Sequence, residues 1–180
     1  MSTVVTNRIQ SRTGSVITVQ KGNRLAAPGH VLQVSAVTIG PTVQTISSAT
    51  PVAVTGLSIA FTPFSASSLI LIECQISSNS PHVSSFGIYK NGAATVSTSG
   101  QTNNNENNMQ ITTYAGADDS TQLWSWPIQW SETAGSVVAR TYQIFATAAW
   151  AGTPRTLTIN NRPSNDMASF SFMTVTEIAQ

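Results

Sequence analysis

The sequence predicts an all-β protein: an antiparallel jelly-roll sandwich of about ten strands carrying a short extended N-terminal arm. Three observations lead there. Apolar and polar residues alternate in stretch after stretch, the period of two that sets one strand face in a core. Clusters of Gly, Pro, Asn and Ser fall between these stretches at regular intervals. No helical pattern lasts longer than a turn, and neither heptads nor a repeat of fixed period occurs, so no coiled-coil shaft is expected.

Met1–Gly14 is polar with scattered Val and Ile and reads as an extended arm. Residues 1–34 are taken together as an arm and docking segment, and 35–180 as the sandwich. Ser15–Gln20 (SVITVQ) alternates as a short strand, Lys21–Gly29 is a loop with an Ala-Pro-Gly turn, and Val31–Ile39 is a strand stopped by Gly40-Pro41. Val43–Ser47 and Val52–Val54 supply a further strand or two around Pro51, a residue suited to an edge or a break. In Gly56–Ser77, GLSIAFTPFSASSLILIECQIS, Leu57, Ile59 and Phe61 alternate with small residues, Thr62–Ser68 turns, and Leu69–Ser77 forms the second strand of the pair. Leu69–Ile72 is apolar on both faces, so that end should be covered on both sides, by a second sheet and by a loop or neighbouring subunit.

Beyond a turn at Asn79–Pro81, Ser85–Lys90 runs into Asn91-Gly92, the strongest short hairpin signal because both type I′ positions need positive φ. Ala93–Ser97 returns, Gly100–Asn108 is a polar loop with no apolar anchor, Met109–Tyr114 is a strand and Gly116–Ser120 a turn. Leu123–Trp130 sets Trp124, Trp126, Ile128 and Trp130 on one face. Pro127 falls on the other, which suits an edge strand or bulge. Val137–Ala148 is a long strand expected to pair with that one across Glu132–Ser136; Arg155–Asn160 is short, and Ser169–Ile178 closes the chain.

A chain of 180 residues fits one domain that needs no disulfide or metal to stand. Cys74 is the single cysteine, so no intrachain disulfide forms, and its apolar strand marks it as a buried structural thiol. Charged residues make up only 8% and the net charge is +1. That leaves no basic footprint for phosphate, and nucleic acid is not an expected partner. Apolar runs are too short to cross a bilayer, so no membrane insertion is expected, and the N-terminus lacks the apolar stretch of a secretory signal.

An enzyme needs convergent acid, base or nucleophile groups. His30 and His82 sit beside Pro/Gly loops outside any metal spacing, and only Asp118-Asp119 are adjacent among the carboxylates, either a solvated turn or a calcium turn helped by carbonyls. Glu73 and Glu177 lie within apolar strands, with Arg140 as a plausible partner or with their carboxylates facing solvent or an interface. Phosphate-binding glycine loops and a Gly-x-Ser-x-Gly elbow are missing. No catalytic, cofactor or metal residue is therefore assigned, and no enzyme is expected. Two recognition candidates stand out. The loop Thr102, Asn103, Asn104, Asn105, Glu106, Asn107, Asn108 is a long polar excursion of the kind that carries specificity on a rigid sandwich. The stripe Trp124, Trp126, Ile128, Trp130 either fills core or subunit interface, or offers an aromatic platform to sugar rings.

Four pieces carry a family resemblance. GSVITVQKGNRLAAPGHVLQV, GLSIAFTPFSASSLILIECQIS, FGIYKNGA and the closing MTVTEIAQ resemble, in order, segments of small tail-fibre-like or decoration proteins of tailed, marine-type bacteriophages, over about a third of the chain. Lys90 stands where the similar hairpins carry Arg before Asn-Gly. The resemblance implies a tumour-necrosis-factor-like jelly roll, usually a homotrimer, on the virion surface. Its expected partners are copies of itself, capsid or tail proteins met through the N-terminal arm, and, for host attachment, a host surface glycan.

Overall fold

A computed structural model describes residues 27–41, 43–79, 83–96, 109–114, 122–150, 153–162 and 167–180. The strand expected at 15–20, the loop 102–108, His82 and Asp118-Asp119 lie outside the described residues. Twelve strands follow in order: β1 (Val31–Ile39), β2 (Gln44–Ile46), β3 (Val52–Phe61), β4 (Leu69–Asn79), β5 (Val83–Lys90), β6 (Ala93–Ala94), β7 (Ile111–Tyr114), β8 (Trp124–Thr133), β9 (Arg140–Trp150), β10 (Thr153–Pro154), β11 (Leu157–Ile159) and β12 (Ser171–Ile178). No helix occurs among the described residues. Strand β1 starts at Val31, inside the stretch read as arm.

The strands form two antiparallel sheets packed as a β-sandwich. In the first, β8, β4, β12 and β1 lie side by side, while β11 pairs β4 beyond the end of β12 and β2 pairs β11. In the second, β3, β9 and β5 lie side by side, β6 and β7 both pair the far edge of β5, and β10 folds back on β9. Pro127 sits in β8, whose one partner among the described strands is β4, so there the missing N–H falls on an edge strand as expected. Asn91 (φ 52°) and Gly92 (φ 79°) make the tight β5–β6 hairpin.

Two expected strand pairs are not pairs. The strand before Thr62 and the one after Ser68, β3 and β4, belong to opposite sheets, and so do β8 and β9. The physical reason lies in the burial. Leu57, Ile59 and Phe61 of β3 face Ile70, Ile72 and Ile76 of β4 across the core, which they could not do as neighbours in one sheet. The turns 62–68 and 134–139 therefore cross the sandwich rather than close hairpins. They also bond to each other, Ala134 N–H to Ser68 O at 2.8 Å and Gly135 N–H to Ala66 O at 2.8 Å. Residues 137–139, expected inside a strand, lie in the second of these turns.

The core is apolar in the middle of the sandwich. Ile72, Cys74 and Ile76 of β4, Met173 and Val175 of β12 and Ile128 of β8 meet Phe86 and Ile88 of β5 and Tyr142 and Ile144 of β9. Each fully buried Ile is worth roughly 1.5–3 kcal/mol over exposure. Burial raises the Cys74 thiol to about 12, so it stays protonated and behaves as a small hydrophobe.

Registers also give the sandwich two distinct ends. Val31, Ile178, Leu69 and Thr133 form one row across the first sheet, and Phe61, Arg140, Tyr142 and Lys90 cluster at the same end of the second. This turn end holds turns 62–68 and 134–139, the Asn91-Gly92 hairpin, and both ends of the described chain. There Gly29 N–H bonds Ala179 O at 2.8 Å and Ala179 N–H bonds His30 O at 2.8 Å. Connections 47–51, 80–82, 115–123 and 151–152 leave from the opposite, loop end.

Candidate functional site

Inward-pointing positions change character towards the turn end, where the apolar alternation gives way to Gln33, Glu177, Glu132, Arg140 and Lys90. Glu177 continues the inward series Met173, Val175 of β12 and is fully buried. Its carboxylate accepts the Phe64 N–H (2.8 and 3.0 Å), the Ser65 N–H (3.1 Å) and Gln33 Nε2 (2.6 Å). Burial pushes the Glu177 pKa up, but the hydrogen bonds from Phe64, Gln33, Ser68 and Ser65 outweigh it and hold the group below its ordinary value. The result is a carboxylate that fastens turn 62–68 to the last strand.

Arg140, first residue of β9, does the same for turn 134–139. Its Nη1 donates to Ala134 O (2.8 Å) and Glu132 Oε1 (3.3 Å), its Nη2 to Ser136 O (2.9 Å) and Ser136 Oγ (3.1 Å), and its Nε to Val138 O (3.4 Å). Neither Glu73 nor Glu177 is its partner. Arg140 projects from the second sheet at the turn end, within reach of Glu132 instead. Glu132 also pairs with Lys90 and accepts the Tyr142 hydroxyl. Burial first, then the adjacent Glu132, raises the Tyr142 pKa, so the phenol stays a donor. Glu73 points to the outer face of the first sheet, where it accepts Gln129 Nε2 at 2.9 Å.

The tryptophan stripe lies on the inward side of β8 and is not a uniform surface. Ile128 is in the core, Trp126 and Trp130 are half-buried against it, and Trp124 is 40% exposed at the loop end. The Trp124 and Trp126 rings stack at 6.1 Å, and Trp126 Nε1–H donates to Ser78 Oγ at 3.1 Å. Trp130 carries Lys90 Nζ 5.9 Å from its ring centroid. Thr95 and Gln110, on either side of the undescribed residues 97–108, are joined to each other. Gln110 Nε2 donates to Thr95 Oγ1 (2.8 Å), while Thr95 N–H bonds Ile88 O (3.1 Å) and Gln110 N–H bonds Phe86 O (3.0 Å).

The two outer sheet faces differ. On the second sheet, Ser85 and Tyr89 of β5 and Thr147 and Ala149 of β9 point outward yet are buried, and Tyr89 stacks on Phe145 at 4.1 Å. On the first, Val34 and Phe172 are exposed and Leu69, Leu71 and Ile178 half-buried, with Glu73 the one titratable group that its described strands turn outward. At the loop end the buried groups are hydroxyls and amides. Asn160 (φ 60°) donates to Gly40 O at 2.9 Å and accepts Ser171 Oγ at 2.5 Å, while Asn79 Oδ1, Ser84 Oγ and Thr158 Oγ1 are buried without a hydrogen-bond partner.

Among the described residues no three His, Cys, Asp or Glu side chains gather as a metal site. Sequence reading singled out Glu177 and Arg140 but not the turns they fasten, and it missed the inward role of Glu132. Their signal was a charged residue at a position where the strand's own alternation calls for an apolar one. No protein-family model and no curated protein matches this chain.

Proposed function

We propose that the chain is a non-enzymatic structural protein of a bacteriophage virion, a jelly roll that assembles as a trimeric knob on the capsid or as part of a fibre. The jelly-roll assignment is supported by the strand orders β1-β12-β4-β8 and β3-β9-β5-β7 together with the way the chain alternates between sheets. The observation that carries the assembly is the outer face of the first sheet. A face with a single carboxylate, Glu73, and with Val34, Leu71, Phe172 and Ile178 at its surface is poor in the charges that keep a face in water. Copies of this face would cover one another with one carboxylate per chain to accommodate, already hydrogen-bonded by Gln129.

The two-ended geometry supports the docking half of the reading. Residues 1–26 join the sandwich at the turn end, and the connections that vary most freely in such folds leave from the other. An arm held by the particle would leave the loop end pointing away from it. Native mass measurement should give three chains, and Phe172→Glu should give one folded chain. A wild-type monomer at micromolar concentration removes the assembly claim, and particles made without this chain that look unchanged remove the virion claim.

A second reading is favoured by the exposed Trp124 ring at the loop end: a receptor-binding tip engaging host surface glycan. Purified protein would then block adsorption, and Trp124→Ala or deletion of residues 102–108 would relieve the block. Unchanged adsorption rejects it.

A further inference from the structure

Arg140, 7% exposed, takes up the hydrogen-bond acceptors around it. Its Nε donates to Val138 O, its Nη1 to Ala134 O and Glu132, and its Nη2 to Ser136 O and Ser136 Oγ. Asn91 is pinned in a comparable way. Its N–H donates to Thr141 O and its Oδ1 accepts the Thr141 N–H, each at 2.8 Å. What these contacts leave over are donors. The Asn91 amide has its Nδ2 turned away from Thr141, and the Ser136 hydroxyl, having accepted from Arg140, keeps its own proton to give. The Lys90 ammonium has protons left after meeting Glu132. Among the described residues none of these remaining protons has an acceptor.

The donors share one cleft of about 360 Å³ between the Asn91-Gly92 hairpin and turn 134–139, lined by Lys90, Asn91, Ser136 and Arg140 together with the apolar Val138 and Ala139. Its charge is one-sided too. Lys90 and Arg140 are both cations, and Glu132 is the anion that each of them meets, so the cluster keeps a single positive charge in excess. Free groups that only donate, in a positive cleft, select a ligand that accepts and is negative. One excess charge matches a carboxylate and leaves the second charge of a phosphate monoester unmatched. The volume stands at the low end of small-ligand sites, more room than a carboxylate alone fills and enough for one sugar ring.

We propose that this cleft binds a carboxylate-bearing sugar of the hexuronic acid kind. Lys90, Asn91 Nδ2 and the Ser136 hydroxyl bond the carboxylate and the oxygens next to it, and Val138 and Ala139 lie against the carbon face of the ring. Arg140 is a positioning residue: it keeps the site positive and holds turn 134–139 in the arrangement that presents Ser136. The site is independent of the virion reading, and of the Trp124 reading as well, since Trp124 is at the loop end.

Glucuronate, glucose, acetate, inorganic phosphate and a short aspartyl peptide, each titrated into the full chain by calorimetry, test the proposal. Glucuronate should bind with a Kd of about 1 mM or below and more weakly as salt is raised. The other four should bind at least about tenfold more weakly. Lys90→Met and Asn91→Asp should each weaken glucuronate at least about tenfold while melting as the wild type does. Asp at 91 keeps an oxygen for the Thr141 N–H and suits the positive φ, but sets an anion where the donor was. Should either variant melt several degrees lower, the other decides. Acetate equal to glucuronate overturns the sugar, and phosphate binding as tightly overturns the carboxylate. A peptide that binds more tightly makes the cleft an acidic-protein contact and overturns the proposal. So does a wild-type chain that binds none of them, or one that binds glucuronate no better than a well-folded variant.

Discussion

Replacing Glu177 by Gln keeps the side chain's length and volume while removing its charge, and the local hydrogen bonding makes the consequence calculable. The wild-type carboxylate accepts from two backbone N–H groups, Phe64 and Ser65, and from Gln33 Nε2. A glutamine there has one accepting oxygen and one donating amide. Its oxygen can serve the two N–H groups, but its amide then faces the Gln33 amide. Gln33 cannot simply flip to accept, because its Nε2 also donates to Thr62 O at 2.8 Å. Turned one way the two amides oppose each other, and turned the other way Thr62 O loses its donor to solvent. Losing the charge from these hydrogen bonds and one partner among them costs about 2 kcal/mol. For a domain of this size that is a fall in melting temperature of roughly 4–8 °C.

The pH dependence separates this mechanism from a general packing defect. The folded-state pKa of Glu177 lies below its ordinary 4.5, so its contribution is fully present above that value. It disappears as pH falls from there through the folded-state value. Wild type should therefore lose stability in acid through this group, and Glu177→Gln should not. Thermal melts of both proteins followed by circular dichroism from about pH 7 down to about pH 3 should show the gap narrowing below about pH 4.5. A gap that keeps its size across that range would refute the carboxylate account. So would a variant within about 0.5 kcal/mol of wild type at neutral pH.

Glu132 offers a contrast set by burial. Glu132→Ala leaves the buried Arg140 guanidinium and the Tyr142 hydroxyl without their carboxylate and should cost about 3 kcal/mol in denaturant titration. Lys90→Met, which removes a cation 37% exposed, should cost less than about 1 kcal/mol. Gly56→Ala should destabilise by about 2 kcal/mol or more, because φ is +84° and the new Cβ would stand 2.6 Å from Ile39 Cγ2. Phe61→Asp and Ile72→Asp should abolish soluble expression, since both positions are buried in the core and would hold an unpaired charge. Hydrogen exchange should open the loop end before the turn end, with the amides of β11 exchanging faster than those of β12, because the former sit among buried polar atoms without partners.

Period-two alternation with turn-residue clusters was enough to read the all-β sandwich, the Asn-Gly dipeptide the hairpin at Asn91-Gly92, and the missing N–H the edge position of Pro127, because each depends on residues close in sequence. Which sheet a strand joins is a different matter. β3 and β4 read as a pair joined by a turn, and so did β8 and β9, yet both connections cross the sandwich. Nothing local distinguishes a turn between neighbours from one between layers. The choice is made by which apolar faces meet, and that is a contact between residues far apart. Glu132 illustrates the same limit at a candidate site. In sequence it was part of a turn, and only the register of β8 on β4, setting Glu132 opposite Ile70, turns its side chain inward to meet Arg140 and Tyr142.

The placement of these charges bears on how the molecule is used. With Asp, Glu, Lys and Arg at 8% of the chain, few are available, yet Glu132, Glu177 and Arg140 are buried or nearly so at one end. Burying an ion costs more than burying a hydrophobe of the same size unless its hydrogen bonds are complete. If stability alone were at stake, Leu or Met at these inward positions would continue the core at no such cost. What a buried ion supplies instead is direction, since it is satisfied in one backbone arrangement of the turn and left unpaired in the others. Turns 62–68 and 134–139 are therefore specified, not merely closed. At the loop end the buried polar groups are amides and hydroxyls, with Asn160 bonded to Gly40 O and Ser171 Oγ, and no ion is buried among its described residues. The same argument predicts that Arg140→Met, even if it leaves melting temperature within a few degrees, should loosen turn 134–139 and speed hydrogen exchange of its amides. A turn that stays protected from hydrogen exchange in Arg140→Met would show that the guanidinium is not what holds it.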